Sequence, residues 1–71
     1  MRGLIEDENG KIANDAFATL TGACLAWSQL PEEEKARKYV IEADFFGIPQ
    51  RQLSHQESER IVREALDPKI R

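Results

Sequence analysis

Apolar residues recur along this chain in three stretches at helical spacing, separated by proline and glycine. Between Ala16 and Pro31 no residue is charged. On a helical wheel Phe17, Leu20, Cys24, Trp27 and Leu30 fall on one side with Ala16 and Ala23, and Ala18, Gly22, Leu25 and Ala26 fall on another. That pattern predicts a helix over about residues 15–30, capped by Asn14 or Asp15 and stopped before Pro31. A helix that is apolar nearly all round is buried nearly all round. The small residues spaced by four would let a second backbone approach, so Ala18, Gly22, Leu25 and Ala26 are the expected contact between two copies. A membrane span needs about 20 mostly apolar residues. This stretch is shorter and contains Thr19, Thr21, Ser28 and Gln29, so no membrane is expected.

The second stretch predicts a helix over residues 32–46. Proline suits the first helical position, and Glu32, Glu33 and Glu34 would sit at the positive end of the helix dipole. Ala36, Tyr39, Val40, Ala43 and Phe46 form the core-facing stripe, with Ile41 and Phe45 on the far side. Gly47 is a natural helix stop. The third stretch predicts a helix over residues 55–66 with Ile61, Val62, Ala65 and Leu66 as its apolar face. Ser54 and Glu57 have the spacing of a capping box, and Asp67-Pro68 ends the helix. A start at Pro49 is the alternative.

Residues 1–13 carry a hairpin signal at Asn9-Gly10, with Leu4-Ile5 and Lys11-Ile12-Ala13 as possible flanking strands. A lone two-stranded hairpin is marginal in water. The segment is therefore expected to be a flexible or hairpin-like arm. The expected fold is all-α: one domain over residues 1–71, built of three helices and paired as a helix-packed homodimer.

Length sharpens the expectation of pairing. A chain of 71 residues is close to the size at which a monomer buries only about 60 % of its unfolded surface. One cysteine, Cys24, excludes an internal disulfide, and one histidine, His55, leaves a Cys/His metal site short of ligands. No metal or cofactor is expected. Composition, 41 % hydrophobic and 32 % charged, fits a folded domain. Net charge is −3, with five basic and nine acidic groups in residues 1–46 and five basic and four acidic groups in residues 47–71. That is little positive charge for binding phosphates. Met1-Arg2-Gly3 leads into acidic residues with no apolar run, so no export signal is expected. A free cysteine then suits a reducing cytoplasm. The acidic runs Glu6-Asp7-Glu8 and Glu32-Glu33-Glu34 read as solubilising and capping residues, or as a decoy for a basic partner.

One segment carries a resemblance. Ala43, Gly47, Ile48, Pro49, Gln50, Leu53, Ser54 and Glu57 are spaced as in the helix-turn-helix of phage-repressor-type regulators, over about 15 residues. The resemblance implies that Gln50, Arg51 and Gln52 open a recognition helix facing base edges, with Arg60, Arg63 and Lys69 on phosphates. The same residues also read as a helix stop, a proline-containing connector and a capped third helix.

Catalytic chemistry finds no foothold in the pattern. Cys24 lies in an uncharged stretch, whereas reactive thiols sit near cations or helix N-termini. His55 has no identifiable nucleophile or orienting acid. The expectation is a small non-enzymatic regulator that binds a larger protein and inhibits or redirects it, as small phage or mobile-element proteins do. Binding hot spots favour aromatic residues and arginine, so the expected contacts are Trp27, Arg37, Tyr39, Ile41 and Phe45. The alternative is a sequence-specific DNA-binding regulator using the motif around Gly47.

Overall fold

A computed structural model describes residues 2–67. Within them the chain is α+β, with one four-stranded antiparallel sheet and three helices, in the order β1 (Arg2–Asp7), β2 (Ile12–Phe17), α1 (Leu20–Ser28), α2 (Glu32–Arg37), β3 (Lys38–Ala43), β4 (Pro49–Gln52) and α3 (His55–Leu66). The sheet order is β2-β1-β3-β4. The all-α expectation is therefore wrong, and the reasons lie in particular residues.

The N-terminal arm supplies an inner strand of the sheet, β1, and the start of the edge strand β2. β1 pairs with β3 from Arg2↔Ala43 to Asp7↔Lys38 and with β2 from Gly3↔Phe17 to Glu6↔Ile12. The hairpin expected at Asn9-Gly10 forms, although only Gly10 has a positive φ and the loop runs from Asp7 to Lys11 instead of closing as a two-residue turn. A third strand is what turns a marginal pair into a stable sheet, and that strand was hidden in the helix predicted over residues 32–46. This helix lasts only to Arg37. Tyr39, Val40 and Ile41 then follow in succession, and aromatic and β-branched residues fit a pleated surface better than a helix. In a short apolar run the periods of strand and helix cannot be told apart.

The helix predicted over residues 15–30 is likewise shorter, because residues 12–17 form β2. Thr19, not Asn14 or Asp15, is its cap, its Oγ1 accepting from the Gly22 N–H at 2.9 Å. The third helix runs as expected from His55 to Leu66, with Ser54 Oγ accepting from the Glu57 N–H at 3.1 Å. The Glu57 carboxylate does not close the box; it turns to Arg51.

The main core lies between the sheet and helices α1 and α3. Ile5, Val40, Ala23, Cys24, Trp27, Leu53 and Val62 form it, with Phe17, Leu20, Leu25, Ala26, Leu30 and Ile61 packed at its margin. Gly3 lets α1 come close to β1: a Cβ there would stand 2.5 Å from the Ala23 Cβ. A second cluster, Leu4, Ile41 and Ala43, is made of strand residues alone. It has the opposite parity along β1 and β3 and marks the other sheet face. Both edge strands are blunted, β2 by register shifts and β4 by its four-residue length and Pro49.

Candidate functional site

The connection between β3 and β4 puts two phenylalanines into solvent on a rigid turn. Asp44 organises it. Its Oδ1 accepts from the N–H groups of Phe46 at 2.8 Å and Ile48 at 2.9 Å. The Asp44 N–H donates to the Ile48 carbonyl at 3.1 Å, and the Gly47 N–H donates to the Asp44 carbonyl at 3.0 Å. Gly47 adopts φ +85°, a conformation open to glycine at little cost. Phe45 is 80 % exposed, Phe46 79 % and Ile48 56 %. The two rings meet edge to face with centroids 5.4 Å apart.

The β1–β2 loop has the same design. Asp7 Oδ1 accepts from the N–H groups of Asn9 and Lys11, both at 2.9 Å. The Asp7 N–H reaches the Lys11 carbonyl at 2.9 Å, the Gly10 N–H reaches the Asp7 carbonyl at 3.0 Å, and Gly10 has φ +79°. Both loops read Asp-x-x-Gly-x. In the first the free positions are Glu8, Asn9 and Lys11, and in the second Phe45, Phe46 and Ile48. The backbone bonds thus place no demand for apolar side chains at these positions. Burying a phenylalanine is worth about 1.5–3 kcal/mol, and in this protomer that stabilisation is left unused twice.

A groove of about 440 Å³ opens beside the tip, lined by Arg2, Ala16, Phe17, Ala18 and Phe45. The Arg2 Nη1 lies 3.5 Å from the Phe45 carbonyl, at the limit of a hydrogen bond.

Polar chemistry elsewhere is tied into the fold. The His55 ring stacks on Tyr39 with centroids 4.3 Å apart and on Trp27 at 5.4 Å. His55 Nε2 and Trp27 Nε1 both meet the Lys38 carbonyl, at 2.9 Å and 3.0 Å. A carbonyl only accepts, so His55 carries a proton on Nε2. Trp27 Nε1 also donates to the Lys35 carbonyl at 3.2 Å, and the Lys35 ammonium stands 5.1 Å from the indole centroid. These contacts pin the end of α1 to the junction of α2 and β3. Cys24 is fully buried, and burial pushes its thiol up to about 11, against a lowering by the neighbouring Ser58 hydroxyl. At neutral pH it is a thiol, not a nucleophilic thiolate.

Arg51 joins β4 to its neighbours. It bonds Glu57 at 3.1 and 2.9 Å and Glu42 at 3.1 Å. Hydrogen bonding to Glu57, then to Glu42, raises the guanidinium's pKa, and the bond to Arg51 lowers that of Glu57.

The residues expected to meet a partner are split by the fold. Trp27 is 1 % exposed and Ile41 4 % exposed, so neither can be a docking residue on this surface. Trp27 is core, and Ile41 belongs to the strand-only cluster. Tyr39 is half-buried against His55, Arg37 is exposed at the end of α2, and Phe45 is exposed at the tip. Phe46 and Ile48 were missed; the repeated Asp-x-x-Gly pattern was the signal that could have found them. The expected dimer stripe does not form one helical face, since Ala18 precedes α1, while Leu25 and Ala26 pack against the core and Gly22 is half-buried. Residues 43–57 form a strand end, turn, strand and helix start in place of two helices around a turn. Gln50, Arg51 and Gln52 accordingly lie on an edge strand, with Arg51 bound to two carboxylates. Arg60 and Arg63 are exposed on α3 beside Ser54, Gln56 and Glu57. Lys69 lies outside the described residues.

Among the described residues no group of three or more His, Cys, Asp or Glu could hold a metal ion, and no helix is long and apolar enough to cross a membrane. No protein-family model matches the chain, no curated protein matches its sequence, and no solved structure matches its fold.

Proposed function

We propose that this chain is a small non-enzymatic regulator that binds a larger protein and inhibits or redirects it, and that the tip of the β3–β4 hairpin is the contact. The carrying observation is the pair Phe45 and Phe46, about four-fifths exposed on a turn held by four hydrogen bonds around Asp44 and Gly47. A preorganised aromatic pair loses little side-chain entropy on docking, and aromatic anchors of this kind dominate binding energy. Arg37 and Tyr39 lie at the other end of β3 and belong outside this contact. The buried Cys24 thiol and the stacked His55 ring both support a non-catalytic reading. A lone free thiol suits a reducing cytoplasm.

The test is capture from the native host with the full chain and with a Phe45→Ala/Phe46→Ala variant, each cross-linked and identified by mass spectrometry. A specific host protein is expected with the unaltered chain and absent with the variant, whose circular dichroism is unchanged. Equal recovery by both chains, or recovery of DNA alone, overturns the reading.

A further inference from the structure

Arg2 occupies an unusual place for a cation. It is half-buried at the start of the inner strand β1, beside the apolar walls of the tip groove. Lys35, Lys38 and Arg51 each pair with a carboxylate. Among the described residues no carboxylate pairs with Arg2, and the one hydrogen bond of its side chain is the long contact to the Phe45 carbonyl. The guanidinium fork is suited to bidentate capture of a carboxylate, and more so where neighbouring apolar groups thin the surrounding water. Arg2 is the one charged residue among those lining the groove; the others are Ala16, Phe17, Ala18 and Phe45.

The acidic runs do not compete for this guanidinium. Strand register places Asp7 beside Lys38 at one end of the sheet and Arg2 beside Ala43 at the other. Glu34 binds Lys38 at that far end. In a protein of net charge −3, Arg2 is thus the one charged side chain lining the groove; Asp44, at the start of the turn, spends its Oδ1 on the backbone N–H groups of Phe46 and Ile48.

We infer that the groove binds an acidic side chain of the partner that stands next to an apolar one: the carboxylate on Arg2, the apolar group between Phe17 and Phe45. This rests on the reading of the tip as a partner contact. Phe45 is both a groove wall and half of the exposed pair, so one segment of the partner covers both.

The probe is a random nonapeptide library, acetylated and amidated, selected on the full-length protein beside the same library with free C-termini. Selection is expected to enrich Asp or Glu adjacent to Leu, Ile, Val or Phe in the blocked library. Arg2→Gln should weaken the enriched peptide roughly tenfold or more, the scale of a lost charged hydrogen-bond pair. Arg2→Lys should recover part of it, with circular dichroism confirming that both variants fold. Enrichment without an acidic residue, enrichment in the free-acid library alone, no enrichment, or unchanged affinity in Arg2→Gln each overturns the inference. If Phe45→Ala/Phe46→Ala abolishes capture of the host protein while Arg2→Gln leaves peptide binding intact, the tip reading stands and the groove reading falls.

Discussion

Asp7 and Asp44 each begin a five-residue loop, and the two loops sit at opposite ends of the sheet. Each aspartate accepts two backbone N–H groups with one oxygen, and each loop turns at a glycine in the left-handed region. Around these shared bonds the exposed positions differ completely: Glu8, Asn9 and Lys11 in one, Phe45, Phe46 and Ile48 in the other. The first loop shows what the turn itself needs, which is aspartate and glycine. The phenylalanines of the second are surplus to that need. Exposed apolar groups held on an ordered element commonly mark interaction sites, and here a second loop in the same molecule serves as the internal control.

The comparison can be broken first on stability. Trp27→Ala should cost about 3–5 kcal/mol, the scale for a buried large aromatic. That is a large share of the roughly 5–15 kcal/mol that keeps a small domain folded. Phe45→Ala should stay within about 0.5 kcal/mol, as a surface substitution. Urea midpoints separate the two; a substantial loss in Phe45→Ala would make the tip part of the core.

The equivalence of the two backbones is a sharper target. Gly10→Ala and Gly47→Ala should each cost about 1–2 kcal/mol, since both force a side chain into the left-handed region. A Cβ at Gly10 meets nothing within 4 Å, and one at Gly47 meets only the Arg2 guanidinium at 3.5 Å, an ordinary contact. Thermal unfolding should therefore give similar costs. A large loss in one and none in the other would show that the loops are held differently.

Acid tests the polar loop together with two ion pairs elsewhere in the fold. The Lys11 N–H bond is the largest influence on Asp7 and holds its carboxyl below the ordinary 3.8. Hydrogen bonds from Lys38 and Arg51 likewise lower Glu34 and Glu57 from 4.5. Groups with depressed folded pKa values contribute stability that is complete above their unfolded values and is lost as pH falls through the folded ones. Stability should thus decline below about pH 4.5, and Asp7→Ala should make that decline shallower. Urea midpoints between pH 6 and 3 (the range on the order of one unit either side of these values) check the slope; an unaltered slope would remove Asp7 from the acid response.

How far the sequence could be read follows the same division between local and distant causes. Ser54 and the length of α3 were legible because capping and amphipathic spacing are local. The turn at Asn9-Gly10 was legible for the same reason, although Asp7 rather than a two-residue turn organises it. Leu4-Ile5 was legible as a possible hairpin strand, but its place inside a four-stranded sheet was not, because that depends on pairing with residues 38–43. Those residues looked helical because Ala36, Tyr39, Val40 and Ala43 have helical spacing, whereas strand alternation sends Val40 to the main core and Ala43 to the other sheet face. The candidate site suffered from that error: on a helix Ile41 and Phe45 share a face, whereas the fold buries Ile41 and exposes Phe45. Phe46, assigned to a helical core stripe, stands at the tip.

The most direct measurement puts the chemistry of the first loop onto the second. A Phe45→Glu/Phe46→Asn variant should keep its thermal midpoint within about 4 °C of the unaltered chain, the span of a neutral surface change in a domain of this size. Its affinity for the captured host protein should fall by roughly 30-fold or more, the loss of at least one hot-spot aromatic. A variant that unfolds at a much lower temperature, or that binds the host protein as before, would contradict the assignment of the phenylalanine tip to partner binding.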